Sequence, residues 1–104
     1  MKNYNIAIIG GRPSDLDIID EKIISLCEEK EMWLFNLYTS SKSSLGYLWA
    51  EKRGCPVIFT TEEWQLWKNV DYIFFIFRNE QSIRNAIMKA KNLGLHGTVI
   101  RREE

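Results

Sequence analysis

Asp71-Tyr72-Ile73-Phe74-Phe75-Ile76-Phe77 is the most apolar run in the chain, and its reading decides the fold. Nothing polar interrupts it between Tyr72 and Phe77, so neither face is meant for water. A short continuous run of this kind reads as a central strand buried on both sides of a sheet. Tyr4 to Ile9 has the same character, with Ile6, Ala7, Ile8 and Ile9 in succession, and it ends in Gly10-Gly11. Strands buried on both faces need helices above and below, which points to an α/β fold with a parallel sheet.

The segments around these two strands agree. After the first strand, Pro13 and Ser14 open a helix with Ser14 or Asp15 as its cap, and Leu16, Ile19, Ile23, Leu26 and Cys27 form its apolar stripe. Trp33 to Tyr38 reads as a second strand. A polar patch, Thr39-Ser40-Ser41-Lys42-Ser43-Ser44, leads into a helix from about Ser44 to Arg53, closed by Gly54. Pro56 to Phe59 reads as a third strand. Thr60 and Glu63 have the spacing of a capping box before a short helix that carries Trp64 and Trp67. Beyond Phe77, a helix from about Ser82 to Leu93 puts Ile83, Ala86, Ile87, Ala90 and Leu93 on one face, and Thr98 to Ile100 is a last short strand. Strands and helices alternate, and right-handed crossovers restrict the topology. The expectation is a three-layer Rossmann-like sandwich with five parallel strands in the order 3-2-1-4-5. Ile8, Ile23, Ile73, Phe75, Ile87 and Ala90 are expected in the core.

At 104 residues the chain has room for one domain, residues 1–104, since two would need roughly 200. It has no apolar stretch of about 18 residues to cross a bilayer. The N-terminus has no signal-peptide pattern, so the expected location is cytoplasmic and no membrane partner is implied. Fourteen basic residues balance fourteen acidic ones, which argues against a general nucleic-acid coat. Cys27 and Cys55 read as buried free thiols, and two cysteines with one histidine cannot build a common four-ligand zinc site. No metal and no cofactor is implied.

In sheets of this order ligands bind beyond the carboxyl ends of the strands, where the strand order reverses, here between the first and fourth strands. The loops at that place are Gly10-Gly11-Arg12-Pro13 and Arg78-Asn79-Glu80-Gln81-Ser82, with Thr39 to Ser44 beside them. Each leads into a helix N-terminus, whose N–H groups and partial positive charge suit phosphate. Arg12, Lys42, Arg78 and Arg101 each follow a different strand and share this edge, together with the acids Asp15, Asp17, Glu62 and Glu80. The candidate ligand-binding residues are Gly10, Gly11, Arg12, Ser40, Ser41, Lys42, Ser43, Arg78 and Ser82.

Ile8-Ile9-Gly10-Gly11-Arg12 followed by an Asp-containing helix resembles the opening of the SLOG superfamily, small Rossmann-like proteins related to the LOG phosphoribohydrolases and to the DNA-processing protein of transformation. Leu48-Trp49-Ala50-Glu51-Lys52-Arg53-Gly54-Cys55-Pro56-Val57 resembles that family's helix ending in Trp-Ala before Gly-x-Pro-Val, and Trp64 matches a Trp of one branch. The resemblance covers nearly the whole chain and implies a nucleotide or nucleotide-derived ligand. The sequence departs from the family in the loops. Tyr38, Thr39, Ser41 and Ser43 stand where the family has a glycine-rich loop, and Arg78 to Ser82 replaces a Pro-Gly-Gly-x-Gly-Thr turn. Asn85 stands where the hydrolytic members carry a Glu, which counts against N-glycosidic hydrolysis.

No catalytic residue stands out. His96, the one histidine, falls at the opposite edge of the sheet, and the serines have no histidine or nucleophile elbow beside them. The reading is therefore a small domain that binds a phosphorylated, nucleotide-like molecule without catalysis. Two alternatives stand beside it. One is an N-glycosidic enzyme of phosphoribohydrolase or deoxyribosyltransferase type, for which only Glu80, Asp15 and Asp17 offer a carboxylate. The other is a degenerate phage or mobile-element factor acting by protein contact, in keeping with the aromatic content. A short helix cannot bury both Trp64 and Trp67, so a homodimer through that surface is expected.

Overall fold

Ile73, Phe74, Phe75, Ile76 and Phe77 are all buried, and they divide between two separate cores. This is the consequence of a strand with no polar face: alternate side chains project to opposite sides of the sheet, so each side receives an apolar set. A computed structural model describes residues 3–103, with the side chains of Glu63, Trp64, Glu80 and Ser82 outside that description. The chain runs β1 (Tyr4–Gly10), a 3-10 turn (Pro13–Asp15), α1 (Leu16–Lys30), β2 (Phe35–Thr39), α2 (Leu45–Arg53) and β3 (Val57–Phe59). It continues through α3 (Glu63–Asn69), β4 (Tyr72–Phe77), α4 (Glu80–Asn92) and β5 (His96–Arg101). The five strands form one parallel sheet in the order β3-β2-β1-β4-β5, a Rossmann-like arrangement.

One core lies between the sheet and helices α1 and α2. Ile6, Ile8, Leu37, Phe74 and Ile76 meet Ile19, Ile23 and Leu26 of α1 and Leu45, Trp49 and Ala50 of α2. The other lies beneath α3 and α4, where Ala7, Ile73, Phe75 and Phe77 meet Trp67, Ile83 and Ala90. Asp20 ties α1 to α2: its Oδ1 accepts from Trp49 Nε1 at 3.0 Å and from Arg53 Nε at 2.7 Å. At the amino edge, Asn5 N–H donates to Asp71 Oδ2 and Asp71 N–H to Asn5 O, which sets the start of the β1–β4 register. Among the described residues no helix is long and apolar enough to cross a membrane.

Several local expectations are corrected. Trp33 and Leu34 precede β2 rather than opening it, and they are exposed. β5 is longer than Thr98 to Ile100 and takes in His96, which pairs with Tyr72. The capping box of α3 is Glu62 and Gln65 rather than Thr60 and Glu63; Thr60 N–H instead extends the β2–β3 pairing by donating to Thr39 O. Helix α4 starts at Glu80, two residues before Ser82, because Asn79 is its cap: the Asn79 side chain accepts from Gln81 N–H. Ile8, Ile23, Ile73, Phe75 and Ala90 are buried as expected, whereas Ile87 is only half-buried and Leu93 is exposed. Both cysteines are free, Cys27 buried and Cys55 half-buried, and burial pushes the Cys55 thiol up to about 11. Trp67 is buried in the chain's own core, so it is not a surface residue; the expectation for Trp64 falls outside the described side chains.

Candidate functional site

The two glycines at the end of β1 are fixed by the backbone and its neighbours. Gly10 has φ +82° and Gly11 has φ +87°, a region that side chains beyond Gly avoid. A Cβ on Gly10 would lie 2.2 Å from the carbonyl oxygen of Ile76, and one on Gly11 would lie 2.6 Å from a methyl of Leu45. The pair lets β1 close against β4 and α2 and turns the chain toward Arg12.

From Arg12 the chain makes its 3-10 turn, and the turn delivers Asp15 inward. Asp15 is fully buried. Its carboxylate accepts from the backbone N–H of Arg12 at 2.8 Å and takes a two-pronged pair from Arg78, Nη1 to Oδ2 at 2.9 Å and Nη2 to Oδ1 at 2.8 Å. Arg102 approaches from beyond β5, with Nε 3.2 Å from Oδ1. The Arg102 N–H also donates to Phe77 O. One carboxylate thus gathers the carboxyl ends of β1, β4 and β5. The hydrogen bond from Arg78 is the main reason its acid sits below the usual carboxylate range, outweighing the opposing effect of burial, with the Arg12 N–H adding to it.

Between these loops lies a crevice of about 220 Å³, walled by Gly10, Gly11, Arg12, Arg78 and Asn79 and floored by Ile76, Phe77 and Ile83. It occupies the place where the strand order reverses. Tyr38 does not reach it; that ring lines a different surface depression with Ile58 and Phe59. Four of the expected site residues, Gly10, Gly11, Arg12 and Arg78, come together here. Ser82 is the third residue of α4, below the helix's first turn cap, and its side chain lies outside the described set.

The serine loop behaves differently. Ser44 caps α2, its Oγ accepting from Tyr47 N–H at 3.1 Å and donating to Ser41 O. Thr39 Oγ1 lies 2.9 Å from Ser44 Oγ, and Ser41 Oγ lies 2.7 Å from Ser43 Oγ and accepts from Ser43 N–H. The hydroxyls of Ser41 and Ser43 are engaged within their own turn, and Lys42 sits exposed at its tip. Ser40 points the other way. It joins Ile9, Thr60, Thr61, Glu62, Leu66, Trp67 and Ala86 around a second cavity of about 370 Å³ on the α3–α4 side of the sheet.

The sequence offers Ser14 or Asp15 as a helix cap and Arg101 as the cation after the last strand. Arg101 ends β5 and is exposed, and Arg102 makes the ion pair instead. The one local signal was the Arg12–Asp15 spacing, which is that of a side chain reaching back to a backbone N–H at a helix start. Comparison with protein-family models, with curated proteins and with solved structures gives no match for this chain.

Proposed function

We propose that this chain binds a phosphorylated small molecule of nucleotide type at the β1–β4 crevice, without turning it over. The observation that carries this reading is Arg78, held at the crevice wall by a buried carboxylate. A guanidinium anchored by both Nη atoms is fixed in orientation at the crevice wall, so it loses little freedom when a phosphate docks beside it. Asp15 holds Arg78 and Arg102 by ion pairs and the backbone N–H of Arg12, and Arg12 and Arg78 both line the crevice. The glycine backbone keeps side chains off one wall of the crevice.

N-glycosidic chemistry has less support. Asp15 is committed to Arg78 and Arg102, Asn85 on the exposed side of α4 offers no carboxylate, and the Glu80 side chain lies outside the described set. Such chemistry needs an acid beside the developing oxocarbenium charge.

A thermal-shift series with 5′-nucleotides and sugar phosphates tests the reading. The expected result is a raised melting temperature that fades as salt rises, since exposed charge contacts are screened over about 10 Å at 0.1 M. The exposed Arg12 is the residue to change, and Arg12→Ala should lose the ligand-induced shift measured against its own melting temperature without ligand. No shift with any phosphorylated compound would overturn the reading. The protein-contact alternative would then lead, with the exposed Trp33, Leu34, Ile58 and Phe59 as its first candidates.

A further inference from the structure

The crevice and the second cavity lie on either side of one strand end. Ile9 lines the cavity and the next residue, Gly10, lines the crevice. On α4, Ile83 faces the crevice and Ala86, one turn on, faces the cavity. The two spaces also differ in size and lining. At about 220 Å³ the crevice falls short of the roughly 300–1,000 Å³ of small-molecule pockets, while the cavity at about 370 Å³ falls within it. The crevice has arginines and glycine backbone at its walls; the cavity is lined on its apolar side by Ile9, Leu66, Trp67 and Ala86. Hydroxyls of Ser40 and Thr61 and the carboxylate of Glu62 stand around it.

We infer that the cavity holds the nucleoside end of the ligand whose phosphate occupies the crevice, with the base against Ile9, Leu66 and Trp67 and the sugar hydroxyls toward Glu62 and Ser40. This rests on the phosphate-binding reading above and adds to it the direction in which the ligand lies, toward α3 rather than over α1 and α2. A flat heteroaromatic ring suits an apolar lining that includes an indole. A vicinal diol suits a carboxylate, which accepts from both hydroxyls. A sugar phosphate alone would leave the apolar side of this space to water.

Ribose 5-phosphate and adenosine 5′-monophosphate separate the two statements. The expected result is that both bind, with the nucleotide tighter by about tenfold or more, which burial of roughly 60 Å² of apolar base surface supplies. Ala86→Leu, which fills the cavity, should bring the nucleotide down to the affinity of the sugar phosphate. Wild-type NMR gives the same answer without a mutation: both compounds should shift the amides of Gly10 and Gly11, but only the nucleotide should shift the methyl signals of Ala86 and Leu66. Equal affinities, with the methyls unmoved, would overturn the cavity assignment and leave the phosphate reading standing. Binding by neither compound would overturn both.

Discussion

Asp15 carries a negative charge to a place with no water, and it stays charged because Arg78 donates to both of its oxygens. Breaking such a pair from one side leaves the partner's charge uncompensated, which is where the cost lies. Asp15→Asn is expected to destabilise the protein by about 3 kcal/mol, toward the low end for buried pairs because Arg78 and Arg102 keep some exposure. The pH dependence has a definite sign. The folded carboxyl titrates below its unfolded value of about 3.9, so its contribution is complete above that value and is lost as pH falls through the folded one. Asp20, lowered by Arg53 and helped by Trp49, follows the same rule. Urea midpoints should thus be flat near neutrality and drop below about pH 4, with a shallower drop in Asp15→Asn, where among the described residues Asp20 still contributes. An unchanged midpoint at pH 7 in that variant would mean that the pair contributes nothing net. The partner of Asp15 was not legible in the sequence, because Arg78 stands 63 residues away and only the β1–β4 pairing brings it near.

At the scale of the element, the serine loop illustrates how composition misleads. A run of hydroxyls before a helix serves a phosphate or the turn itself equally well, and the two uses share one spacing. Here the turn takes them: Ser41 binds Ser43, and Ser44 binds both Tyr47 N–H and the Thr39 hydroxyl. Thr39 is buried, so its partner cannot be replaced freely by solvent. Ser44→Ala should therefore cost about 1–2 kcal/mol, at the upper part of the range for a lost cap. The change is read as a lowered urea midpoint with an unaltered slope. Ser41→Ala, in an exposed turn, should cost less than half of that. If the two variants were equal, the cap would not be what holds α2 to the end of β2. Helix α4 shows the converse error. Its buried positions Ile83 and Ala90 were legible, but Asn79, three residues before Ser82, takes the cap, since a short amide accepts from N–H groups as well as a hydroxyl does.

On the scale of the whole molecule, the strand order was legible because apolar runs without alternation leave few topologies open, whereas the ligand was not, since any phosphate end in a switch-point crevice asks for the same residues. What the sheet adds is a common wall. β4 sends Phe74 and Ile76 to the α1–α2 side and Ile73, Phe75 and Phe77 to the α3–α4 side, so neither core can loosen without moving the strand that bounds the other. The Cα radius of gyration, 12.7 Å, is that of a tightly folded chain of about 100 residues, which leaves little slack between the layers. The two cores should then unfold together. Phe74→Ala and Phe75→Ala remove neighbouring side chains on opposite faces, and each is expected to cost about 3–5 kcal/mol. Both should shift one urea transition, seen alike by circular dichroism and by fluorescence of Trp49 on one side and Trp67 on the other. Total stability for a domain of this size is about 5–15 kcal/mol, so the double variant should be largely unfolded at 25 °C. Two separated transitions in either single variant would mean that each face folds on its own, and a cost below about 1 kcal/mol would mean that β4 does not bound both cores.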